Sequence, residues 1–164
     1  MTISEVYFVS REAAENLLFH ADTAVISITD PGKRAAALAA WFRKVLRLSF
    51  YDAVPGDDFI PIPVPGCFDH RMARQILDFI GELHGTPTAL KLVVHCEQGI
   101  SRSAAVALFA AAYSGAPLQN RAGANGANPW VLEQLSRLAP AIEIDIPVVT
   151  EAPPMLRTNL ITSC

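Results

Sequence analysis

The stretch Leu90-Lys91-Leu92-Val93-Val94-His95-Cys96-Glu97-Gln98-Gly99-Ile100-Ser101-Arg102-Ser103 decides the fold of this 164-residue chain. Leu90 and Leu92-Val93-Val94 have no amphipathic period, which is typical of a buried strand in a parallel sheet. Residues 95–101 predict a loop around a glycine, and residues 102–113 an alanine-rich helix that ends at Ser114-Gly115. The stretch therefore predicts a strand, a tight loop and a helix in direct succession.

The amino-terminal part of the chain shows the same alternation of strand and helix. Three short runs rich in β-branched and apolar residues are predicted to be strands: residues 6–9, 24–28 and 45–50. Ser10 is a suitable N-cap for a helix that carries Ala14, Leu17 and Leu18. The alanines of residues 35–41 favour a further helix before the third strand.

Prolines, glycines and acidic residues dominate residues 51–67, which predicts a long loop. Asp69 is then expected to cap a helix with one apolar face, ended by His84-Gly85. The residues of that face are Met72, Ile76, Phe79, Ile80 and Leu83. Asn128-Pro129 is an N-cap and N1 pair for a last helix that runs to Leu138.

These elements predict an α/β fold in which a central, mainly parallel sheet is flanked by helices. Residues 1–139 are expected to form one domain, and residues 140–164 a tail of unknown role. The carboxyl end of the strand at residues 92–94 is the expected position of a functional site, because ligands bind at that edge of parallel sheets.

The composition argues against several functional classes. Cys67, Cys96 and Cys164 are too scattered for a zinc site or a disulfide framework, so we expect no metal and no cofactor. A net charge of −3 without a basic block gives little affinity for nucleic acid. The longest apolar stretch, residues 104–113, is too short to span a bilayer, and the N-terminus lacks a secretory signal. We therefore expect a cytoplasmic protein that binds neither nucleic acid nor membranes, of undetermined oligomeric state.

The loop that follows the buried strand suits a phosphate dianion. A loop that curls into a helix N-terminus points its backbone N–H groups into one concavity, where the helix dipole adds partial positive charge. Glu97, Gln98, Gly99, Ile100 and Ser101 are expected to contribute mainly these backbone donors. The same field favours a thiolate, so the pKa of the preceding cysteine should lie below its usual value of about 8.5.

Side chains at both ends of the loop add to this predicted site. Cys96 is the candidate nucleophile, and the fork of Arg102 can hold two phosphate oxygens. Ser103 can donate its hydroxyl to the sulfur and so help it to leave as a thiolate. His95 is expected to fix the loop from behind the cysteine. We expect Cys67 and Cys164 to be inert, with a resolving thiol under oxidation as the alternative role of Cys67.

His95-Cys96 followed by Arg102-Ser103 resembles the phosphate-binding loop of the protein tyrosine and dual-specificity phosphatases. In outline the resemblance extends from the strand at Ala24 to the helix that ends near Leu138, and it is nearest to small bacterial members of the family. It implies a phosphatase-like fold and a two-step reaction without metal, in which a cysteinyl-phosphate forms and water then hydrolyses it.

The family also uses an aspartate on a mobile loop to protonate the leaving oxygen and later to activate water. Asp52 follows the third strand and resembles that acid, although it lies 96 − 52 = 44 residues before the cysteine, which is longer than in the smaller family members. Asp58 and Asp57 on the same loop are the second and third candidates.

The resemblance implies hydrolysis of phosphate monoesters of a protein or a small molecule, with phosphotyrosine first and phosphoserine or phosphothreonine as alternatives. The loop carries no additional lysine or arginine for highly phosphorylated lipids. A phosphate-binding module with poor turnover is the main alternative function. Sulfur or arsenate transfer is a third, since related loops also place a cysteine beside a bound anion.

Overall fold

The apolar runs of the sequence form a four-stranded parallel sheet in a computed structural model, which describes residues 2–18 and 21–149. The strands are β1 (Ile3–Ser10), β2 (Thr23–Thr29), β3 (Lys44–Ser49) and β4 (Leu90–Cys96), arranged in the order β1-β4-β2-β3. All three strand pairs are parallel, and β4 lies between β1 and β2. The predicted α/β class with a parallel sheet and flanking helices is confirmed.

Four α-helices and one 3-10 helix complete the described part of the chain. They are α1 (Arg11–Glu15), α2 (His70–His84), α3 (Arg102–Ser114), the 3-10 helix (Arg121–Gly126) and α4 (Pro129–Leu138). α3 packs on β1 and β4, while α4 contacts both α3 and α2. α3 is buried on almost every side and has no polar face, as expected of a helix inside the core. It consists mainly of small residues, which allow it to pack closely against its neighbours. The expected apolar face of α2 is buried, apart from Met72, which is half-buried.

The predicted helix caps are present. Ser10 Oγ accepts a hydrogen bond from Ala13 N at 3.1 Å, and Asp69 Oδ1 accepts one from Met72 N at 2.9 Å. Asn128 Oδ1 accepts from the backbone N–H groups of the first turn of α4. These side chains satisfy N–H groups that have no partner within their helices, and so determine where each helix begins.

The first helix is shorter than the sequence indicates. α1 ends at Glu15, so Leu17 and Leu18 lie outside it, and Leu18 is 81% exposed. Asn16 Nδ2 donates to the Glu12 carbonyl at 2.9 Å, the kind of local side-chain bond with which asparagine competes against a continuing helix.

The helix expected in residues 35–41 is wrong, because this segment has no regular structure. Apart from one short bond from Leu38 N to the Ala36 carbonyl, its backbone groups bond to side chains from other parts of the chain. Arg11 Nη2 donates to the Ala35 carbonyl and Arg47 Nη1 to the Ala36 carbonyl, each at 3.1 Å. Ala37 N donates to Glu15 at 3.0 Å. Long-range contacts of this kind override the helix propensity of alanine.

The parallel sheet brings the ends of three strands to one edge. Asp30 follows β2, Phe50 to Asp52 follow β3, and Cys96 is the last residue of β4. Because carboxyl ends of parallel strands share an edge, segments far apart in the sequence meet there. The predicted position of the site at the carboxyl end of residues 92–94 agrees with this geometry.

The described part of the tail contains no helix or strand between residues 140 and 149. Ile142 and Ile144 are nevertheless partly buried against the core. The predicted domain boundary at residue 139 stays a prediction, and residues 150–164, including Cys164, lie outside the described residues. Within residues 2–18 and 21–149, no helix is both long and apolar enough to cross a bilayer.

Candidate active site

A cavity of about 690 Å³ opens at the carboxyl edge of the sheet. Seven of the predicted site residues line it: Asp52, Cys96, Glu97, Gln98, Ile100, Ser101 and Arg102. Asp30, Lys33 and Tyr51 also line it and were not predicted. The structure therefore brings most of the predicted side chains around one concavity and adds charged and aromatic groups from the ends of β2 and β3.

Cys96 is the least exposed residue of the cavity lining, at 2%. Gly99 N donates to Sγ at 3.3 Å, and the Ser103 hydroxyl lies 3.1 Å from it. Burial by itself raises the pKa of the thiol, but the Ser103 side chain and the N–H groups of Ser103, Gly99 and Ile100 lower it by more. The pKa of Cys96 is therefore below its usual value, which increases the fraction of thiolate.

Gly99 fixes the curvature of the cysteine loop (residues 96–102). Its φ is +71°, in the left-handed region that favours glycine. A Cβ here would lie 2.7 Å from the Val9 carbonyl oxygen and closer still to Ser10 N. Only glycine lets the loop lie against the end of β1 while its N–H points at the sulfur.

His95, the residue before Cys96 at the end of β4, holds the base of the loop. It is fully buried, with Nε2 2.6 Å from the Ser27 hydroxyl on β2. Burial lowers the pKa of His95 from its ordinary value, although a hydrogen bond to the Cys96 carbonyl opposes this in part. A neutral imidazole at neutral pH can therefore hold the strand end beside the cysteine without a second buried charge.

Arg11 holds the outer side of the cysteine loop. Its backbone N–H donates to the Glu97 carbonyl at 3.2 Å, and its Nη1 lies 3.1 Å from Glu97 Oε1. Arg11 Nε also pairs with Glu15 at 2.9 Å. The side chain of Glu97 thus braces the loop against α1, in addition to the expected contribution of its backbone.

Arg102 begins α3 and is 5% exposed. Its Nη1 donates to Asp30 Oδ1 at 2.6 Å and to the Phe50 carbonyl at 2.7 Å. Its Nε is buried and has no hydrogen-bond partner in the described part of the chain. A buried guanidinium N–H without a partner lowers the stability of the fold, and a cation at a helix N-terminus is unfavourable as well. An anion bound here would accept from Nε and would offset the positive charge at the start of α3.

Asp52 stands on the rim of the cavity, held by two donors. Its Oδ1 accepts from Ser101 Oγ at 2.8 Å and from Asn128 Nδ2 at 2.7 Å. The Ser101 hydroxyl therefore contacts the carboxylate rather than capping α3. Asn128, which the sequence identifies only as the cap of α4, also positions this aspartate.

The two competing aspartates, Asp57 and Asp58, lie away from the cavity. Asp57 Oδ1 accepts from Phe59 N at 3.0 Å and from Ile60 N at 2.6 Å within its own loop. Neither Asp57 nor Asp58 lines the cavity. The cavity therefore favours Asp52 as the acid, and its chemical role stays a prediction.

Asp30 and Tyr51 were not predicted from the sequence, which contains a usable signal for Asp30 only. Asp30 lies two residues after the strand predicted at residues 24–28, where the edge rule places functional side chains, but its neighbours Pro31-Gly32 are typical of a simple turn. Tyr51 packs so closely on Gly66 that a Cβ there would lie 2.6 Å from Tyr51 Cε2. Only the folded long loop reveals this contact.

Within the described ranges, no group of three or more His, Cys, Asp or Glu residues is placed to hold a metal ion. No protein-family model matches the chain, and no curated protein matches it. Function is therefore inferred from the residues and their geometry.

We expect Ser103→Ala to raise the pKa of Cys96, because the variant removes the side-chain hydrogen bond that most lowers it. The rate of thiol alkylation against pH should shift to higher pH, with less thiolate at neutrality. Ser114→Ala is the matched control, since Ser114 is a buried serine on α3 whose hydroxyl bonds the Ala110 carbonyl. An unchanged profile in Ser103→Ala would contradict the assigned cause.

We expect Gly99→Ala to destabilise the protein more than Gly56→Ala does. Both glycines have a positive φ, but a Cβ at Gly56 meets nothing within 4 Å. Gly56→Ala should therefore cost about 1 kcal/mol of unfolding free energy through backbone strain alone. Gly99→Ala should cost about 3 kcal/mol, because the β1 backbone must also move. Urea unfolding measures both, and equal losses would show that the contact with β1 is not tight.

Proposed function

We propose that this chain is a phosphoric monoester hydrolase with a fold and mechanism like those of the protein tyrosine phosphatases. The observation that carries the proposal is the geometry of one cavity: the buried Cys96 sulfur lies 3.3 Å from Gly99 N and 3.1 Å from the Ser103 hydroxyl, and Arg102 in the same lining has an unpartnered Nε. A thiolate and an unsatisfied guanidinium donor suit attack on a bound phosphate.

In the first step, the Cys96 thiolate attacks phosphorus, an S–P bond forms and the P–O bond to the leaving group breaks. Asp52 gives a proton to the departing oxygen, and Arg102 with the loop N–H groups stabilises the charge on the remaining phosphate oxygens. The first product is an alcohol or a phenol, and the phosphoryl group stays on sulfur.

In the second step, water attacks the phosphorus of the cysteinyl-phosphate and the S–P bond breaks. The Asp52 carboxylate takes the proton of the water, and Cys96 leaves as a thiolate. The Ser103 hydroxyl, 3.1 Å from Sγ, donates to the departing sulfur. Inorganic phosphate is released, and both residues return to their starting protonation states.

The substrate we propose is a single phosphate monoester, with protein phosphotyrosine first. Arg102 and Lys33 are the cations of the cavity wall, opposed by Asp30, Asp52 and Glu97. This balance of charge suits one phosphate group rather than a highly phosphorylated lipid headgroup. Tyr51, 46% exposed on the wall, adds an aromatic surface on which a phenyl ring can pack.

We expect the parent protein to hydrolyse an aryl phosphate without added metal, and Cys96→Ser to lose all measurable turnover while retaining phosphate binding. Rapid quenching followed by mass spectrometry should detect phosphate on Cys96. Cys67→Ser is the control, since Cys67 is buried and does not line the cavity. A parent that binds phosphate but never releases it from a monoester would favour the binding-module alternative. Thiosulfate or arsenate turnover without phosphatase activity would favour the third function.

We expect Asp52→Asn to lower kcat by roughly 10²-fold to 10⁴-fold and to remove the basic limb of the pH–rate profile, because the general acid is lost. Asp57→Asn and Asp58→Asn should keep both kcat and that limb. Steady-state kinetics across pH distinguishes the three candidates. Retention of the basic limb in Asp52→Asn would show that another group donates the proton.

A further inference from the structure

Asp30 has no part in the chemistry described so far, although it lines the cavity. Its Oδ1 lies 2.6 Å from Arg102 Nη1, and its Oδ2 lies 3.9 Å from Lys33 Nζ. The Asp30 side chain is 27% exposed, whereas that of Arg102 is 6% exposed. Asp30 and Arg102 therefore form a largely buried ion pair in the cavity wall, in contrast to a surface salt bridge between two solvated side chains.

The hydrogen bonds of Arg102 are concentrated on one nitrogen of its guanidinium. Both of its bonds fall on Nη1, one to Asp30 and one to the Phe50 carbonyl. Nε is buried without a partner in the described part of the chain. Because the guanidinium is planar and rigid, fixing Nη1 also fixes the direction of the Nε–H bond.

The negative charge of Asp30 argues against a role that is limited to increasing the affinity for phosphate. A carboxylate on the wall repels a phosphate dianion, so a residue that served only to attract the substrate would not be acidic. Orientation of Arg102 is an effect large enough to outweigh that repulsion, since misplacing a catalytic group by about 1 Å costs on the order of 100-fold in rate.

We propose that Asp30 is a positioning residue: with the Phe50 carbonyl it holds Nη1 of Arg102 and so directs the Nε edge of the guanidinium toward the bound phosphate. This inference rests on the proposed function for its consequence in catalysis. The positioning itself depends only on binding of the anion.

Two near-isosteric variants separate orientation from charge. Asp30→Asn keeps an oxygen that can accept from Nη1 and removes the charge, whereas Asp30→Leu removes both. We expect Asp30→Leu to lose on the order of 100-fold in kcat for an aryl phosphate. Asp30→Asn should lose less than about 10-fold and should bind inorganic phosphate at least as tightly as the parent. Asp78→Asn and Asp78→Leu, at an exposed position on α2, are the matched controls.

Equal losses of kcat in the two Asp30 variants, or no loss in Asp30→Leu, would overturn the proposal. Absence of turnover in the parent would refute the proposed function alone. Calorimetric titration with inorganic phosphate would still test whether Asp30 positions Arg102. In that case a phosphate affinity at least about 10-fold weaker in Asp30→Leu than in Asp30→Asn supports positioning, and equal affinities overturn it.

A measurement on the unaltered protein covers the case in which Asp30→Leu does not fold. The Arg102 Nε–H resonance can be assigned by its loss in Arg102→Lys. Phosphate titration should shift this resonance strongly and slow its exchange with solvent. A resonance that does not respond while phosphate binds would overturn the proposal.

Discussion

A buried sulfur can carry a negative charge only if hydrogen-bond donors of the protein replace the water molecules that would otherwise solvate it. At Cys96 those donors are the Ser103 hydroxyl and the N–H groups of Ser103, Gly99 and Ile100. They converge only because the cysteine loop turns sharply at Gly99 and then enters α3. The remaining features of the site either hold this loop in place or arrange charges around it.

The sheet supplies that support through strands on both sides of β4. β1 lies against Gly99, β2 contributes Ser27 to hold His95, and the segment after β3 contributes the Phe50 carbonyl to Arg102. Together these contacts join the cysteine loop, and the end of β4 before it, to three other parts of the chain. The loop is therefore held in place from several elements, which is the arrangement that pre-organised electrostatic stabilisation requires.

Local patterns in the sequence predicted the strands, the caps at Ser10, Asp69 and Asn128, and the buried helix α3, because each depends on residues near one another in the chain. The error in residues 35–41 came where side chains from other elements intervened. Residues 35–41 favour a helix by composition, but Arg11, Glu15 and Arg47 take their backbone groups. A single sequence does not show which distant side chain will compete.

The sequence by itself determined the cysteine loop, since the spacing from Cys96 to Arg102, the glycine and the following helix are all local features. Only the tertiary structure decided which acidic residues surround it. Hydrogen bonds from Ser101 and Asn128 hold Asp52 at the cavity. Asp30 contacts Arg102, although the two residues are 72 positions apart in the chain. The physical reason is the parallel order of the strands, which gathers their carboxyl ends at one edge whatever their separation in sequence.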